Sequence, residues 1–492
     1  MRIICNDVLR WFLCLVAMGS DVAHELSENG LDAVPQILLV RGHPRGAYGA
    51  DIGGGGSIYT LAQRDIQMTI ALLFLSLFVL MLLRVPIAFA LGLSSLGYIL
   101  IDGLPSTLLM HTMINGMNSF PLLAIPFFIL AGALMNVSGI TTRIFGFARS
   151  LVGWMHGGLG HVNIGASIIF AGMSGAAVAD AGGLGAIEIK AMREAGYDDD
   201  FSVGVTAASS TIGPIIPPSL PLVIYGVMAS VSIGELFVAG IIPGLLMAAS
   251  LVVMVWWYSK RRGYPRDVAF SVSNVGRSFV AAFLPLLTPV IIVGGIVSGA
   301  FTPTEAAVCA ATYALFLGAV VYRTLTPRIF VRISMETIET TASVMLIVGA
   351  ASVFAWILTA NQAAAQFAEI LLGLTDNKHI ILLLMMLVVL VIGLFMETIA
   401  AISILVPVLL PVAVQVGIDP VHLGIIVILN LMIGLLTPPV GMVLFVLSKV
   451  SDVPFQQCVR ATMPFLAPLV IVLLLLTYIP ELTLFLPELL YR

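Results

Sequence analysis

The stretch that decides the fold is GMSGAAVADAGGLGAIEIKAMREAGYDDDFSVGVTAASSTIGPIIPP, residues 172–218. It is apolar at both ends, yet glycines, an aspartate and a double proline interrupt it where a simple membrane span has none. A shift of 221 residues places it on a second copy without a gap, and the matched positions are Gly172/Gly393, Ala179/Ala400, Gly196/Gly417, Asp198/Asp419, Ile212-Gly213/Ile433-Gly434, Pro217-Pro218/Pro438-Pro439 and Pro243/Pro464. Because glycine and proline each fix a backbone feature, this shared register indicates an internal repeat.

The composition is that of a membrane protein. The chain has 492 residues, of which 60% are hydrophobic and 10% are charged, and its mean hydropathy is +1.10. A soluble protein of this length could not bury so much apolar surface, so we predict a polytopic membrane protein. The four cysteines are scattered, which indicates neither a metal site nor a disulfide framework. No GxxxxGK[ST] motif for nucleotide binding is present, and no basic stretch suggests nucleic acid as a partner.

Residues 1–67 differ in composition from the rest of the chain. They carry five of the 22 Lys and Arg residues and a GGGG run at 53–56. A short apolar run at 8–18 resembles the core of a signal peptide, but no small-x-small cleavage site follows it. We interpret 1–67 as an atypical extension, disordered or arising from a misassigned start, so that the membrane part begins at Met68.

From Met68 onwards the apolar segments follow one order in both halves. For the first repeat (68–259) we predict spans at 68–83, 86–101 and 121–139, an interfacial arm at 141–158, a hairpin at about 160–193 that turns at 180–183, a segment at 201–230 broken at Pro217-Pro218, and a span at 236–259. A basic loop at 260–277 follows. For the second repeat (278–492) we predict spans at 278–297, 303–322 and 340–358, a less apolar stretch at 360–376, a hairpin at about 379–416, a segment at 422–449 broken at Pro438-Pro439, and a span at 460–479.

The number of crossings predicts how the two halves are oriented. The hairpin limbs are short for a hydrocarbon core of ~30 Å, so each half should have five crossings and one re-entrant hairpin. Because five is odd, the second half enters from the opposite side, which makes an inverted-topology repeat typical of secondary transporters. With the 260–277 loop in the cytoplasm, 15 of the 17 Lys and Arg residues after Met68 lie on that side. The first hairpin then opens to the cytoplasm and the second opens to the far side, so that their tips meet near the midplane. The C-terminus lies on the far side.

The broken helices predict a binding site. A Pro-Pro pair interrupts a helix, and free peptide groups are tolerated in a membrane only where they line a cavity or bind something. Carbonyls at a helix C-terminus suit Na⁺, and amides at a helix N-terminus suit a carboxylate. The polar residues that cluster at the breaks are Ser174, Gly175, Asp180, Ser209, Ser210, Thr211, Gly213 and Ser219 in the first half, and Glu397, Thr398, Ser403, Asn430, Gly434 and Thr437 in the second. They offer hard oxygen ligands, which exclude a soft transition metal, and the two acids within apolar stretches indicate functional positions.

Structural explanations stay open for several of these residues. The small residues at 174–177 can serve close helix packing, and Ser209 and Ser210 can bond to their own helix. Asp180 can be the N-cap of the second hairpin limb. Glu397 can pair with a neighbour or lie near the outer surface. Either double proline alone can be a kink, although the repeat favours a site.

Four motifs carry a resemblance to a known family: GMSGAAVADAGGLG (172–185), IGPIIPPSLPLVIYG (212–226), GGIVSGAFTPTEAA (294–307) and IGLLTPPVGMVLFV (433–446). From about Met68 the chain resembles the large membrane subunit of tripartite ATP-independent periplasmic (TRAP) transporters. The resemblance implies an all-α elevator-type transporter of the bacterial inner membrane, with Na⁺ as coupling ion and no other cofactor. It also implies a small four-span membrane subunit as a separate chain, and a periplasmic binding protein that delivers a C4-dicarboxylate, a sialic acid or a similar carboxylate.

The same resemblance implies site residues. Cation binding would involve Ser174, Gly175, Thr211, Gly213 and Pro217 in the first half, and Gly393, Gly434 and Thr437 in the second. Solute binding would involve Asp180, Pro218, Ser219, Glu397 and Thr398. Many members have a serine where this chain has Ala176, so one hydroxyl that is usual at the solute site is missing here.

Three other functions are alternatives to this one. A stand-alone anion:cation symporter of similar inverted-repeat build would lack neighbouring genes for the binding protein and the small subunit. A membrane-embedded enzyme needs a catalytic motif, and the chain has no HExxH, no GxSxG and no clustered histidines. A structural scaffold would not explain matched helix breaks in both halves.

Overall fold

The computed structural model describes residues 55–375 and 377–491, without the side chains of 55–68, 173, 174, 364, 370–372 and 374. Every regular element in the described part of the chain is helical. The first helix begins at Gly55, so it includes the end of the extension that we placed at 1–67. The prediction for residues 1–54 lies outside the described residues.

The helices of the first half follow the predicted order except for Thr107–Met117, which was not predicted. They are α1 (Gly55–Leu82), α2 (Ile87–Ile101), α3 (Thr107–Met117), α4 (Ala124–Val137, after a 3₁₀ turn at Phe120–Leu123), α5 (Ile140–Val152), α6 (Gly158–Ser174), α7 (Ala177–Glu194), α8 (Asp199–Ser210), α9 (Leu220–Ala229) and α10 (Ile233–Arg262). The amphipathic arm is α5, the hairpin is α6 with α7, and the broken segment is α8 with α9.

The second half repeats these elements. They are α11 (Val272–Val297), α12 (Pro303–Phe316, continued by a π-helical turn at Leu317–Val321), α13 (Pro327–Ala360), α14 (Ala363–Leu374), α15 (Lys378–Gly393), α16 (Thr398–Gln415), α17 (Pro420–Leu435), α18 (Met442–Ser451), α19 (Phe455–Tyr478) and α20 (Glu481–Tyr491). The second hairpin is α15 with α16, and the second broken segment is α17 with α18. Both double prolines between the broken pieces have a cis peptide bond.

The second half differs from the prediction at one long helix and in one additional helix. The span predicted at 340–358 is part of α13, which begins at Pro327 because the side chain of Thr326 caps its first turn by accepting from the amide of Ile329. A short helix, α20, follows the last predicted span and was not predicted. Its sequence contains Pro487 and two acidic residues, which weaken the helical pattern.

Seven helices among the described residues are long and apolar enough to cross a membrane: Phe120–Val137, Ile233–Arg262, Val272–Val297, Pro303–Val321, Pro327–Ala360, Thr398–Gln415 and Phe455–Tyr478. One of them, α16, was predicted as a hairpin limb. Its 18 residues give a length of about 27 Å at 1.5 Å per residue, slightly less than a hydrocarbon core. Seven shorter apolar helices include α6, α15 and the pieces on either side of the second break.

The chain divides into two compact units, Met1–Val85 with Leu93–Thr112 and Pro86–Gly92 with Met113–Arg492. In the second unit the two halves interlock, since α7 packs against α18, α8 against α19, and α9 against both α16 and α17. Another part of the same unit is built from α4, α5, α11, α12 and α13, of which α4 packs on α12 and α5 on α11. The hairpins and broken helices therefore form one packed body within the second unit.

The loop after α10 is tied to the amphipathic arm. The guanidinium of Arg149 donates from Nε and Nη2 to both oxygens of Asp267, at 2.5 and 2.8 Å. This hydrogen bond raises the pKa of Arg149 above its usual value, so the guanidinium stays charged. The backbone amide of Asp267 also donates to the carbonyl of Gly153 at 3.1 Å. The basic loop and the arm are thus held together by an ion pair and by main-chain bonds.

Candidate functional site

The first hairpin turns at Gly175 and Ala176, not at 180–183 as predicted. Gly175 has φ of +61°, a left-handed conformation that favours glycine, and it ends α6. Helix α7 runs without interruption through 180–183. The glycines there serve close packing, since a Cβ added at Gly183 would lie 3.2 Å from Nδ2 of Asn136. The prediction was wrong because a pair of glycines is typical both of a turn and of a close contact between helices, and the sequence alone does not distinguish the two.

The tip of this hairpin lies against the first helix break. The amide of Leu220 donates to the carbonyl of Gly175 at 3.4 Å. A Cβ added at Gly175 would lie 2.5 Å from the carbonyl oxygen of Pro218 and 3.3 Å from Cα of Ser219. Three residues predicted at the site, Gly175, Pro218 and Ser219, therefore meet. Pro217 belongs to the same break, and the backbone of Ser174 ends α6 beside it.

The break is organised by Ser219 and Thr211. Ser219 caps α9, because its hydroxyl accepts from the amide of Leu222 at 3.2 Å and donates to the carbonyl of Pro214. Thr211 ends α8, and its hydroxyl donates to the carbonyl of Ala208 at 2.6 Å. Because this proton is already used within the chain, the lone pairs of Thr211 remain available to a cation.

Asp180 lies in the first turn of α7 and is 1% exposed. Neither of its carboxylate oxygens has a hydrogen-bond partner among the described residues. A Cβ added at Gly213 would lie 3.4 Å from Oδ2 of Asp180, so the hairpin and the end of α8 meet here as well. The alternative that Asp180 caps α7 is wrong, because the N-cap is Ala176, which has no side-chain hydrogen bond to the helix.

In the second half the hairpin limb α16 is capped by a side chain. Glu397 accepts at Oε2 from the amides of Ile399 at 2.9 Å and Ala400 at 3.4 Å. Thr398 begins the helix and is 3% exposed. Glu397 therefore has a structural role at a position that we predicted for solute binding. The equivalent position of the first half is Ala176, so only one of the two hairpins carries a capping carboxylate.

The three residues predicted for cation binding in the second half, Gly393, Gly434 and Thr437, also lie close together. A Cβ added at Gly434 would lie 2.8 Å from the carbonyl oxygen of Gly393, so the ends of α15 and α17 touch. The amide of Thr437 donates to the carbonyl of Gly434 at 3.0 Å, and its hydroxyl donates to the carbonyl of Ile433 at 2.7 Å. Thr437 thus resembles Thr211 in using its proton on its own helix.

A cleft that the sequence did not indicate opens at the N-terminal ends of α10 and α12. It has a volume of about 420 Å³. Its polar lining consists of hydroxyls, from Ser119, Ser230, Ser232, Thr302 and Thr304. By the predicted topology this cleft faces the far side of the membrane, between the packed body and the framework of α4 and α12.

Glu188 and Asn163 are two buried polar residues that the sequence argument missed. Glu188 is 1% exposed and Asn163 is 0% exposed, and the amide of Asn163 donates to Glu188 at 2.7 Å. An acid within GAIEIKAM was a visible signal. However, Lys190 and Arg193 follow shortly after it, and such a group of charges is typical of a helix end exposed on the cytoplasmic side.

Comparison with known proteins identifies the family. The family described as "Tripartite ATP-independent periplasmic transporter, DctM component" matches residues 74–482. The chain is 53% identical over 405 residues to the sialic acid TRAP transporter large permease protein SiaM of Vibrio cholerae, covering 82% of this chain and 95% of that protein.

Two further proteins extend the comparison. The sialic acid TRAP transporter permease protein SiaT of Haemophilus influenzae is 44% identical over 378 residues, which cover 77% of this chain and 61% of that longer protein. Among solved structures, the YdaH transporter of Alcanivorax borkumensis has a similar fold with a TM-score of 0.57. The likeness covers 76% of this chain and 88% of that one at 16% identity, so it concerns the fold alone.

Proposed function

The chain belongs to the DctM family of tripartite ATP-independent periplasmic transporters, and we propose on this basis that it couples uptake of an organic acid to Na⁺. As a large permease subunit it is a multi-pass membrane protein and a transporter component, not an enzyme. The proposed location is the bacterial inner membrane, with the C-terminus in the periplasm.

The observation that carries the proposal is the contact between the hairpin tip at Gly175 and the break at Pro218. Helix α6 ends at this contact, and α8 ends at Ser210, before the same break. The last carbonyls of each helix carry partial negative charge without an intrahelical partner. The lone pairs of Thr211 add hard oxygen ligands, which suit Na⁺. The contact between Gly393 and Gly434, with Thr437 beside it, offers a second set of the same kind.

The first hairpin also offers a place for the carboxylate of the solute. Helix α7 begins at Ala177 without a side-chain cap, so its first amides are available to an anion. Ser219 and Pro218 lie beside this helix end, and Na⁺ bound nearby would offset the charge of Asp180. Because the two relatives described above are named for sialic acid, it is the first solute to test, followed by C4-dicarboxylates and other carboxylates.

In the proposed elevator movement, the two parts of the second unit have different roles. The packed body of α6–α9 and α15–α18 would carry the solute and Na⁺ past the framework of α4, α5 and α11–α13. The partners would be a separate small four-span membrane subunit and a periplasmic binding protein that delivers the solute. With the predicted topology, the hydroxyl-lined cleft at Thr302 and Ser232 would lie on the side where the binding protein delivers the solute.

The experiment is uptake into proteoliposomes that contain this chain and its small subunit. Radiolabelled sialic acid and a panel of carboxylates are offered with and without the binding protein, and with and without an inward Na⁺ gradient. We expect uptake of one solute class only when both are present. Uptake without the binding protein would instead support the alternative of a stand-alone symporter. Uptake at the same rate with and without the Na⁺ gradient would contradict Na⁺ coupling.

A further inference from the structure

Four buried polar side chains form a connected cluster between α6, α7 and α8. The amide of Asn163 donates to Oε2 of Glu188 and to the hydroxyl of Thr206, both at 2.7 Å. The hydroxyl of Ser209 donates to Oδ1 of Asn163 at 2.6 Å. None of the four residues is more than 1% exposed. The cluster lies two helical turns or more from Asp180 along α7, towards the open end of the hairpin.

The second half builds the same helices without this cluster. The shift of 221 residues places Leu384 on Asn163, Leu409 on Glu188 and Val427 on Thr206. The fourth position stays polar, because Asn430 stands where the first half has Ser209, and its amide donates to the carbonyl of Met386 at 2.5 Å. Leu409 and Val427 are as buried as their counterparts, each 1% exposed. The hairpin and broken-helix arrangement therefore does not require an acid at the position of Glu188. Because Leu409 packs at this position without the desolvation cost of a carboxyl group, the acid in the first half points to a ligand.

The hydrogen bonds within the cluster identify this ligand. Asn163 uses both amide hydrogens and its carbonyl oxygen, and Thr206 donates its own proton to the carbonyl of Ser202 at 2.8 Å. Oε1 of Glu188 is the one oxygen in the cluster without a partner. A metal cation needs several converging lone pairs, but amide hydrogens occupy Oε2 of Glu188 and the hydroxyl of Thr206. A proton on Oε1 fits, because it leaves Oε2 as the acceptor of a neutral carboxylic acid.

No buried Lys or Arg compensates the charge of Glu188 within the described residues, and neither ring nitrogen of the buried His161 has a hydrogen-bond partner there. The other titratable groups on α7 and on the helices packed against it are Asp180, Lys190, Arg193 and Glu194 on α7, His161 on α6, Asp199 and Asp200 on α8, and Lys449 on α18. Among them only Asp180 and His161 are buried. An ionised Glu188 would be a buried charge without a counter-ion, about 12 Å along the same helix from a second buried acid, Asp180. Both conditions favour the proton-bound form.

We propose that Glu188 is a proton-binding site of the transport body, loaded in one state of the cycle and emptied to cytoplasmic water in another. Loading transfers a proton from hydronium to Oε1 and releases water. Emptying returns that proton to water and leaves a carboxylate that hydration must stabilise. Glu188 is six residues from the end of α7 at Glu194, about 9 Å along the helix, so a modest opening of the hairpin base would hydrate it. The transport role of the proton rests on the proposed function, whereas its presence on Glu188 does not.

The first experiment measures the proton directly. The full chain in lipid nanodiscs is examined by infrared spectroscopy for the C=O stretch of protonated carboxyl groups, with Glu188→Gln and the exposed control Glu194→Gln. We expect part of the neutral-pH band to disappear in Glu188→Gln and to remain in Glu194→Gln. An unchanged band in Glu188→Gln would overturn the proposal. Because no solute, Na⁺ or partner is used, this outcome is independent of the proposed function.

The second experiment measures the consequence for transport. Initial uptake rates are recorded in proteoliposomes at several internal pH values, from acidic to mildly alkaline. We expect wild-type uptake to slow severalfold as the interior is acidified, because proton release is opposed, and Glu188→Gln to lose this dependence. The double variant Asn163→Leu/Glu188→Leu has the residues of the second half at these two positions. It should also lose the dependence on internal pH, and it replaces the single variant in the test if Glu188→Gln folds poorly. A wild-type pH profile in either folded variant would overturn the proposal.

Discussion

Gly393 and Gly434 lie backbone to backbone where α15 and α17 end, so that a Cβ added at Gly434 would lie 2.7 Å from the carbonyl carbon of Gly393. A real Cβ cannot occupy that position unless one of the two helix ends moves. The neighbouring atom belongs to the backbone and not to a flexible side chain, so little relaxation is available. The proposed second Na⁺ set, with Thr437, depends on this contact.

The substitution Gly434→Ala should therefore separate the two helix ends. We expect the free energy of unfolding to fall by about 1–3 kcal/mol, which is typical of overpacking. We also expect the rate of Na⁺-dependent uptake to fall severalfold, because the proposed Na⁺ ligands move apart. Thermal unfolding of the purified protein and uptake in proteoliposomes measure the two effects. Gly294→Ala is the matched control, because a Cβ added at Gly294 meets no atom within 4 Å. Equal melting temperatures for Gly434→Ala and wild type would contradict the close contact.

Glu397 caps α16 and is also predicted to bind the solute, and two substitutions can distinguish these two roles. Glu397→Ala removes the acceptor of the Ile399 and Ala400 amides, and we expect a loss of about 1 kcal/mol of stability. Glu397→Gln keeps a side-chain oxygen in place, so its stability should stay close to wild type. If the charge also contacts the solute or its cation, Glu397→Gln should still lose uptake. Full uptake by a stable Glu397→Gln protein would leave the cap as the role of this residue.

Asp180 offers a test of Na⁺ binding that needs no transport. Its carboxylate is buried without a partner in the described protein, so Asp180→Asn should fold at least as well as wild type in Na⁺-free buffer. Na⁺ at 100 times its dissociation constant should stabilise the wild type by about 2.7 kcal/mol. We expect this gain to vanish in Asp180→Asn and to persist in Glu194→Gln, on the exposed end of the same helix. An undiminished Na⁺ effect on the melting of Asp180→Asn would remove Asp180 from the site.

The sequence predicted the order of the helices well because proline, glycine and charge mark helix ends. The matched double prolines located both breaks, which fall between α8 and α9 and between α17 and α18. The turn of the first hairpin was misplaced because its cause is the left-handed φ of Gly175, which competes in the sequence with Gly182 and Gly183. The latter two are helical and pack against neighbours, and that distinction is a tertiary property.

The site residues were only partly predictable for the same reason. Polar residues at the breaks were visible, but the capping role of Glu397 depends on where α16 begins. Asn163 and Glu188 are 25 residues apart, and their hydrogen bond exists only because α6 and α7 fold back on each other. A comparison of the two halves would have found them, since leucines stand at both equivalent positions.

The ion pair between Arg149 and Asp267 should contribute modestly to stability. The side chain of Arg149 is 48% exposed, and therefore we expect a coupling of at most about 1 kcal/mol in a double-mutant cycle with Arg149→Gln and Asp267→Asn. The pair between Arg332 and Glu336 is the control, since both side chains are 64% exposed and 3.8 Å apart. Its coupling should be close to zero. A coupling at Arg149–Asp267 no larger than at the control would show that main-chain bonds alone hold the loop.

The predicted topology makes opposite predictions for two reporter sites. Because 15 of the 17 Lys and Arg residues after Met68 lie on the side of the 260–277 loop, that loop should be cytoplasmic and the C-terminus periplasmic. Alkaline phosphatase, which is active only after export, should be active when fused after Arg492. It should be inactive when fused in the loop after Gly263, where α10 has ended. Fusions of green fluorescent protein at the same two sites should give the opposite pattern. A fluorescent, phosphatase-inactive C-terminus would contradict the odd number of crossings in each half, and with it the inverted relation between the two hairpins.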